Sequence, residues 1–288
     1  MGEMNDRIQK SNRKYNDTLF RVLFHDEERA IELCNAVIGT SYPKGTPVTI
    51  CSTGEDSLLR RFNDVAYDVD GQLIAMFEHQ ASPNPNMCLR FLPYITDTLF
   101  TRFVNKKDLY GKKRIYIPTP KFYVLYNGPE KIAQDILRLS DSFKPGVMFD
   151  NEFTLDLTVK ILNVNHGSNC EALKKSKSLN GYAYLISLIR KYIQEGHSRD
   201  QAISVAMDNC IKQGVLVDFL NERYKEVCEM LGFQYSLEDE LEITRDEAKE
   251  EGKAESAIEM LKDGLSVEKV AQYTKMPVEW VEGLSAKV

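Results

Sequence analysis

Apolar and polar residues follow two different periods along the chain, and each period predicts a different kind of element. Between residues 62 and 80 the period is two on either side of Asp70-Gly71, which predicts a β-hairpin. Short β-rich runs predict further strands at 47–51, 121–126 and 153–164. Apolar residues at helical spacing predict helices over 16–38, 86–104, 179–195, 198–213, 215–231, 238–263, 266–273 and 277–285.

The order of these elements predicts the fold class. Strands dominate up to about residue 170 and helices follow, an order that indicates an α/β or α+β domain with a helical extension. We expect three regions: a domain over 1–235 that includes helical region 170–235, an acidic helix over 236–263, and a small helix–turn–helix-like tail over 264–288. Pro93 is expected to bend the helix at 86–104 or to force an early start.

The hairpin brings an unusual set of polar side chains to one of its faces. Glu78 and Gln80 share a face because strand side chains alternate. A two-residue turn would put Asp64 on the other face. A three-residue loop, from Val69 to Gly71, would put it opposite Met76 and within about 7–8 Å of Glu78.

The burial pattern favours the three-residue loop. One face, here called the Tyr67 face, is then wholly apolar and suited to a core: Val65, Tyr67, Val69, Leu73, Ala75 and Phe77. The other, here called the Glu78 face, is polar at one end: Asp64, Ala66, Asp68, Gln72, Ile74, Met76, Glu78 and Gln80. Paired carboxylates there would suit Mg²⁺. The alternative is that both acids are ordinary charges on a solvated strand face.

Five segments resemble one nuclease family. They are YNDTLFRVLF (15–24), FNDVAYDVDGQLIAMFEHQASPNPNMCLR (62–90), IPTPKFYVLYNG (117–128), LTVKILNVNHG (157–167) and CIKQGVLVDFL (210–220). The order Asp, Glu-x-Gln, helix resembles a PD-(D/E)xK nuclease core, and more narrowly the recombination-promoting nuclease (Rpn) family, whose label also includes the word transposase. EHQASPNPNMCLR is the specific part, although Cys88 stands where that motif would have Pro. The resemblance implies a restriction-endonuclease-like α/β core, with a mixed sheet flanked by helices.

The resemblance also implies roles for particular residues. Asp64 and Glu78 would be catalytic carboxylates that hold Mg²⁺ or Mn²⁺, with the His79 carbonyl as a further ligand. Gln80 would stand where most of the superfamily has Lys, and a neutral amide can orient a water but cannot neutralise charge. Asp17 could reach a second metal, although capping of the first helix is the preferred interpretation. Arg90 would contact phosphate, or else form a salt bridge to one of the site acids.

Residues 102–121 form the strongest basic patch in the chain. Seven cations stand there against the single acid Asp108, and Tyr110 and Tyr116 lie among them. On a nuclease this patch would bind the DNA backbone, through Lys106, Lys107, Lys112, Lys113 and Arg114. The alternative is a solvated basic loop.

The overall charge of −6 at first argues against a nucleic-acid-binding protein, but its distribution removes that argument. Residues 236–263 hold eleven acidic and four basic side chains, whereas residues 1–235 hold twenty-nine acidic and thirty basic ones. The six cysteines are widely spaced and form no zinc-binding pattern. Because we find no secretory signal and no apolar run long enough to span a membrane, we expect reduced thiols, a cytoplasmic protein and no membrane partner.

The sequence thus predicts a Mg²⁺-dependent DNA endonuclease, linked to recombination or to a mobile element. Two alternatives stay open. One is a non-catalytic DNA-binding relative in which Gln80 marks lost chemistry. The other is a protein–protein interaction module, supported by the amphipathic tail, which also makes a homodimer conceivable. The acidic segment could instead cover the basic patch when DNA is absent.

Overall fold

The computed structural model describes residues 19–51, 65–144 and 155–285, with only the backbone described at 233–251 and 285. The chain divides into two compact units, one ending at Gly232 and one beginning at Phe233. Among the described helices, none has both the length and the apolar character that a membrane span requires.

The described part of the first unit begins with two helices where the sequence predicted one over 16–38. Helix α1 is Leu19–Leu23 and helix α2 is Glu27–Ile38. The chain breaks between them because Asp26 has extended backbone and its carboxylate accepts a hydrogen bond from the Arg29 N–H at 3.0 Å. This is a helix N-cap, and it gives an acceptor to a backbone N–H that has no partner within the first turn of α2.

A six-stranded mixed sheet follows, in the order β1-β2-β3-β4-β6-β5. The strands are β1 Val48–Ile50, β2 Val65–Val69, β3 Leu73–Gln80, β4 Thr119–Tyr126, β5 Ile136–Arg138 and β6 Thr158–Asn163. Strands β3, β4 and β6 are parallel neighbours, and β1, β2 and β5 pair antiparallel. The predicted α/β class with a mixed sheet is therefore confirmed, whereas the three-residue strand β5 was not predicted.

The register of the β2–β3 hairpin corrects one prediction. Met76 lies opposite Ala66, so the predicted pairing of Met76 with Asp64 is wrong. Asp70 and Gly71 both have positive φ, 53° and 65°, and the Gln72 N–H donates to the Val69 carbonyl, as in a tight primed turn. Val69 then pairs with Leu73, which leaves a three-residue loop that is shifted by one residue from the predicted one. The partition of the described hairpin residues into a Tyr67 face and a Glu78 face is unchanged.

Helices cover both faces of the sheet. Helix α3, Met87–Thr98, packs on the Glu78 face, where Ile74 and Met76 share a core with Phe91. It continues through Pro93 into a π-helical turn, Leu99–Phe103. On the Tyr67 face, the Tyr67 hydroxyl donates to the Phe24 carbonyl at 2.6 Å. With both faces covered, β3 is buried from Leu73 to Glu78, as a central strand of a parallel sheet should be.

From Glu171 to Ser285 the described chain is mainly helical, as predicted from about residue 170. The helices are α4 Glu171–Lys175, α5 Lys177–Gln194, α6 Arg199–Lys212, α7 Val217–Lys262, α8 Val267–Thr274 and α9 Val278–Ser285. Ser198 and Gln201 form a reciprocal capping box at the start of α6. Helix α7 has a kink at Arg223, where the backbone angles are not helical, and it includes residues 232–237, where the sequence predicted a gap.

The second unit has a small core of its own. Ala257, Val270, Ala271 and Val281 are buried there, and Trp280 and Leu284 pack against them. These residues come from the last part of α7 and from α8 and α9, the two short helices that the sequence predicted in the tail.

Candidate functional site

Glu78 and Gln80 lie at the carboxyl end of β3, on the face that α3 covers. The Glu78 residue is only 3% exposed, so the interpretation of it as an ordinary charge on a solvated face is wrong. Gln80 is half-buried at the last position of the strand. Their placement follows from the alternation of strand side chains, together with a helix that begins only seven residues after the strand ends.

Arg90 neutralises the buried Glu78 carboxylate. Its Nη2 lies 3.0 Å from Glu78 Oε2, and the exposed fractions of the two side chains are 34% and 4%. A charge removed from water requires a partner, and a guanidinium in the first turn of α3 supplies one. Of the two roles that the sequence left open for Arg90, the salt bridge to a site acid is the one that the structure contains.

Met87 joins Gln80 to this ion pair. The Gln80 Nε2 lies 2.8 Å from Met87 Sδ, and Arg90 Nη1 lies 3.8 Å from the same sulfur. Because Met87 is the first residue of α3 and is fully buried, these contacts fix where the amide of Gln80 lies. The two residues of the Glu-x-Gln motif are therefore held by the first turn of the following helix.

His79 lies between Glu78 and Gln80 in sequence, but its ring is on the opposite face. It stacks on Phe20 with a centroid distance of 5.4 Å, and its Nε2 lies 3.1 Å from the Tyr182 hydroxyl. Burial and, to a smaller extent, the positive charge of Arg190 together lower the pKa of His79 from 6.5 to about 4. The imidazole is thus a neutral packing group, and only the backbone of His79 belongs to the strand edge that carries Glu78.

The two remaining predicted acids, Asp64 and Asp17, lie outside the described residues. Within the ranges that are described, no group of three His, Cys, Asp or Glu side chains is arranged to hold a metal ion. The last hairpin pair that the structure describes is Val65 opposite Phe77, the residues that adjoin Asp64 and Glu78 in sequence.

A second polar cluster, not found from the sequence, lies at the carboxyl ends of the parallel strands. The Arg190 guanidinium, from α5, donates to Asn127 Oδ1 at 2.9 Å, to the Asn127 carbonyl, and to Asn165 Oδ1 at 3.3 Å. Asn127 follows β4, and its N–H donates to the Gln80 carbonyl at 2.8 Å. Arg190 therefore fastens the ends of β4 and β6 to α5, close to the end of the Glu-x-Gln strand.

The basic patch leads into the end of β4 that lies away from Glu78. The segment from Val104 to Pro118, here called the basic loop, connects the end of the α3 region to β4, and β4 begins with Thr119 opposite Leu73. Glu78 lies five positions after Leu73 in β3, a distance of about 17 Å along the strand. All five cations predicted to bind DNA are exposed: Lys106, Lys107, Lys112, Lys113 and Arg114.

A cavity of about 640 Å³ lies elsewhere in the first unit. Arg29, Lys177 and Tyr184 are among the residues in its wall, and none of the residues predicted as site residues lines it. The cavity is therefore separate from the Glu78 site.

Comparisons with known proteins do not assign the chain to a family. A scan against protein-family models, a search of curated proteins and a search of solved structures each gave no match.

Proposed function

We propose that this protein is a metal-dependent DNA endonuclease that hydrolyses phosphodiester bonds with a PD-(D/E)xK-type site. The observation that carries the proposal is a buried Glu78 and a half-buried Gln80 on one face of a central strand, directly before a helix that supplies Arg90. A buried carboxylate is costly to keep and is a frequent mark of a functional site. The resemblance of residues 62–90 to the Rpn family supports the same assignment.

The donor types of the proposed site fit Mg²⁺ or Mn²⁺. Carboxylate and carbonyl oxygens are the ligands that these hard cations prefer. Asp64, Glu78 and the backbone carbonyl of His79 would hold the ion, and Glu78 would share its charge between the ion and Arg90. When bound, the ion would lower the pKa of a water and stabilise the charge that develops on the phosphate.

The other two side chains of the proposed site, Gln80 and Arg90, would orient a water and neutralise negative charge. Gln80, held against Met87, can orient a water through its amide but brings no positive charge. Arg90 is the cation closest to Glu78 in the described residues, and one third of its side chain is exposed to solvent. It is therefore the group that could pass from Glu78 to a phosphate oxygen when DNA arrives.

Plasmid nicking tests this proposal. Supercoiled plasmid is incubated with the full chain and Mg²⁺, in parallel with a chelator and with the Asp64→Ala and Glu78→Ala variants. The proposal requires nicked product that depends on Mg²⁺ and is lost in both variants. Full activity in either variant, or with the chelator, would contradict it.

A second function, DNA binding without catalysis, is favoured by one observation. Arg90 already compensates the charge of Glu78 at 3.0 Å, and the position of the usual lysine holds the neutral Gln80. Such a site would be stable without a metal. Under this alternative the protein retards the plasmid in a gel but leaves it supercoiled with either Mg²⁺ or Mn²⁺.

A further inference from the structure

The basic loop exposes large apolar side chains to an unusual degree. Tyr110 is 93% exposed and Tyr116 is 85% exposed, and Leu109 and Ile117 beside them are 49% and 44% exposed. These four residues lie within nine positions of one another. Exposed apolar side chains that are grouped in this way indicate a binding surface, since scattered ones are normal but clusters are not.

The local backbone holds Tyr110 away from the body of the protein. Asp108–Tyr110 forms a single 3₁₀ turn, and the Gly111 N–H closes it by donating to the Asp108 carbonyl at 2.9 Å. A Cβ at position 111 would lie only 3.0 Å from that carbonyl oxygen, so the turn has little room for a larger residue. Tyr110 is therefore presented by a tight turn, with its ring in solvent.

Positive charge surrounds both tyrosines. The loop carries five cations against the single acid Asp108. None of the ion pairs found among the described residues uses Lys106, Lys107, Lys112, Lys113 or Arg114. These cations are thus available to a polyanion, and the rings between them are available for stacking.

We propose that the basic loop binds single-stranded DNA, with Tyr110 and Tyr116 stacked on unpaired bases and the neighbouring cations on the phosphates. In a duplex each base face is covered by the next base pair, so a tyrosine finds a free face only on an unpaired base. Cations alone would bind both forms of DNA, and it is the two rings that select the single strand. The binding inference rests on the DNA-binding part of the proposed function, and only the choice of cleaved substrate that follows from it rests on the proposed chemistry as well.

The position of the loop predicts which DNA would be cleaved. The amino end of β4 and Glu78 are separated by about 17 Å along β3, which corresponds to about five nucleotides at the 3.4 Å rise of one strand. DNA bound at the basic loop would reach Glu78 only if about five further nucleotides, unpaired or in an adjoining duplex, extended from the loop along β3. The inferred substrate class is therefore DNA with unpaired segments.

Fluorescence anisotropy with the full chain in a chelator tests the inference without any hydrolysis. The probes are a labelled single strand of about 16 nucleotides, the duplex of the same sequence and the same sequence in RNA. The variants are Tyr110→Ala/Tyr116→Ala, the matched control Tyr110→Phe/Tyr116→Phe, and Lys112→Gln/Lys113→Gln.

We expect the alanine pair to lose about tenfold or more in affinity for the single strand and less than about twofold for the duplex. The phenylalanine pair should stay within about twofold of the parent protein for both, because the rings remain. The lysine pair should weaken both forms alike.

Three results would overturn the inference: equal losses of the alanine pair on both forms, an unchanged affinity of that pair for the single strand, or tighter binding of the RNA than of the DNA. Failure to cleave in the plasmid assay would overturn the nuclease proposal while leaving this inference intact. Absence of binding to every probe would overturn the DNA assignment as a whole.

Discussion

Replacing Arg90 by alanine should destabilise the protein far more than an ordinary salt-bridge deletion. The Glu78 side chain is 4% exposed, so without Arg90 its charge would stay buried beside an apolar core and would lose the guanidinium that lies 3.0 Å from it. Removing one partner of a buried ion pair costs about 3–5 kcal/mol. Because the Arg90 side chain is 34% exposed, some water already reaches the pair, and we expect the lower end, about 3 kcal/mol.

Thermal unfolding followed by circular dichroism measures this loss. For a unit of this size, about 3 kcal/mol corresponds to a decrease in Tm of about 6–12 °C. The double variant Glu78→Gln/Arg90→Ala should recover part of the loss, because it removes the buried charge as well.

Lys191→Ala is the control for this measurement. It deletes an exposed ion pair with Glu195 of 3.8 Å, in which the two side chains are 62% and 48% exposed. Such a helical pair contributes about 0.3–0.5 kcal/mol. An Arg90→Ala variant that melts like Lys191→Ala would refute the reasoning that the Glu78 charge depends on Arg90.

Three further predictions follow from charge and burial. The pKa of His79 is about 4 in the folded protein and 6.5 in the unfolded chain, so the unfolded chain takes up the proton first as the pH decreases. The free energy of unfolding should therefore fall by up to about 3 kcal/mol between pH 6.5 and pH 4. Urea titrations of the His79→Gln variant should lack this decrease, whereas those of the His25→Gln variant, changed at an exposed site, should keep it. The Lys112→Gln/Lys113→Gln variant should reduce the slope of log affinity for duplex DNA against log salt concentration by up to about 2. An unchanged slope would show that DNA phosphates do not contact these two lysines. Deletion of residues 236–288, which removes the acidic segment, should raise DNA affinity in low salt, and an unchanged affinity would count against a covering role for that segment.

The hairpin illustrates what periodicity can and cannot predict. The two faces of the described hairpin follow from the alternation of apolar residues and came out as predicted. The register did not, because it depends on how Asp70, Gly71 and Gln72 divide the turn among them. A loop of the same length, shifted by one residue, moves every pair by two positions while leaving each side chain on its face.

The residues that surround Glu78 and Gln80 could not be predicted from the sequence, because only the tertiary structure brings them together. Strand alternation places Glu78 and Gln80 on one face, and the family resemblance gives them their predicted roles. The sequence leaves two roles open for Arg90, because the burial of Glu78 that requires the salt bridge is a property of the folded chain. Asn127, Asn165 and Arg190 are far apart in sequence, and only the parallel order of β4 and β6 with α5 brings them together. Strand β5 is three residues long with one buried side chain, too short to produce a periodic signal.

The nicking rate of the Glu78→Gln protein, compared with the parent protein in saturating Mg²⁺, tests the central claim most directly. The change keeps the shape of the side chain and removes its charge. If Glu78 holds the catalytic ion, the loss of several kcal/mol of stabilisation predicts a rate lower by about 100-fold or more. A folded Glu78→Gln protein that nicks plasmid within about twofold of the parent rate, a difference of less than about 0.5 kcal/mol, would contradict the assignment of Glu78 as the catalytic carboxylate.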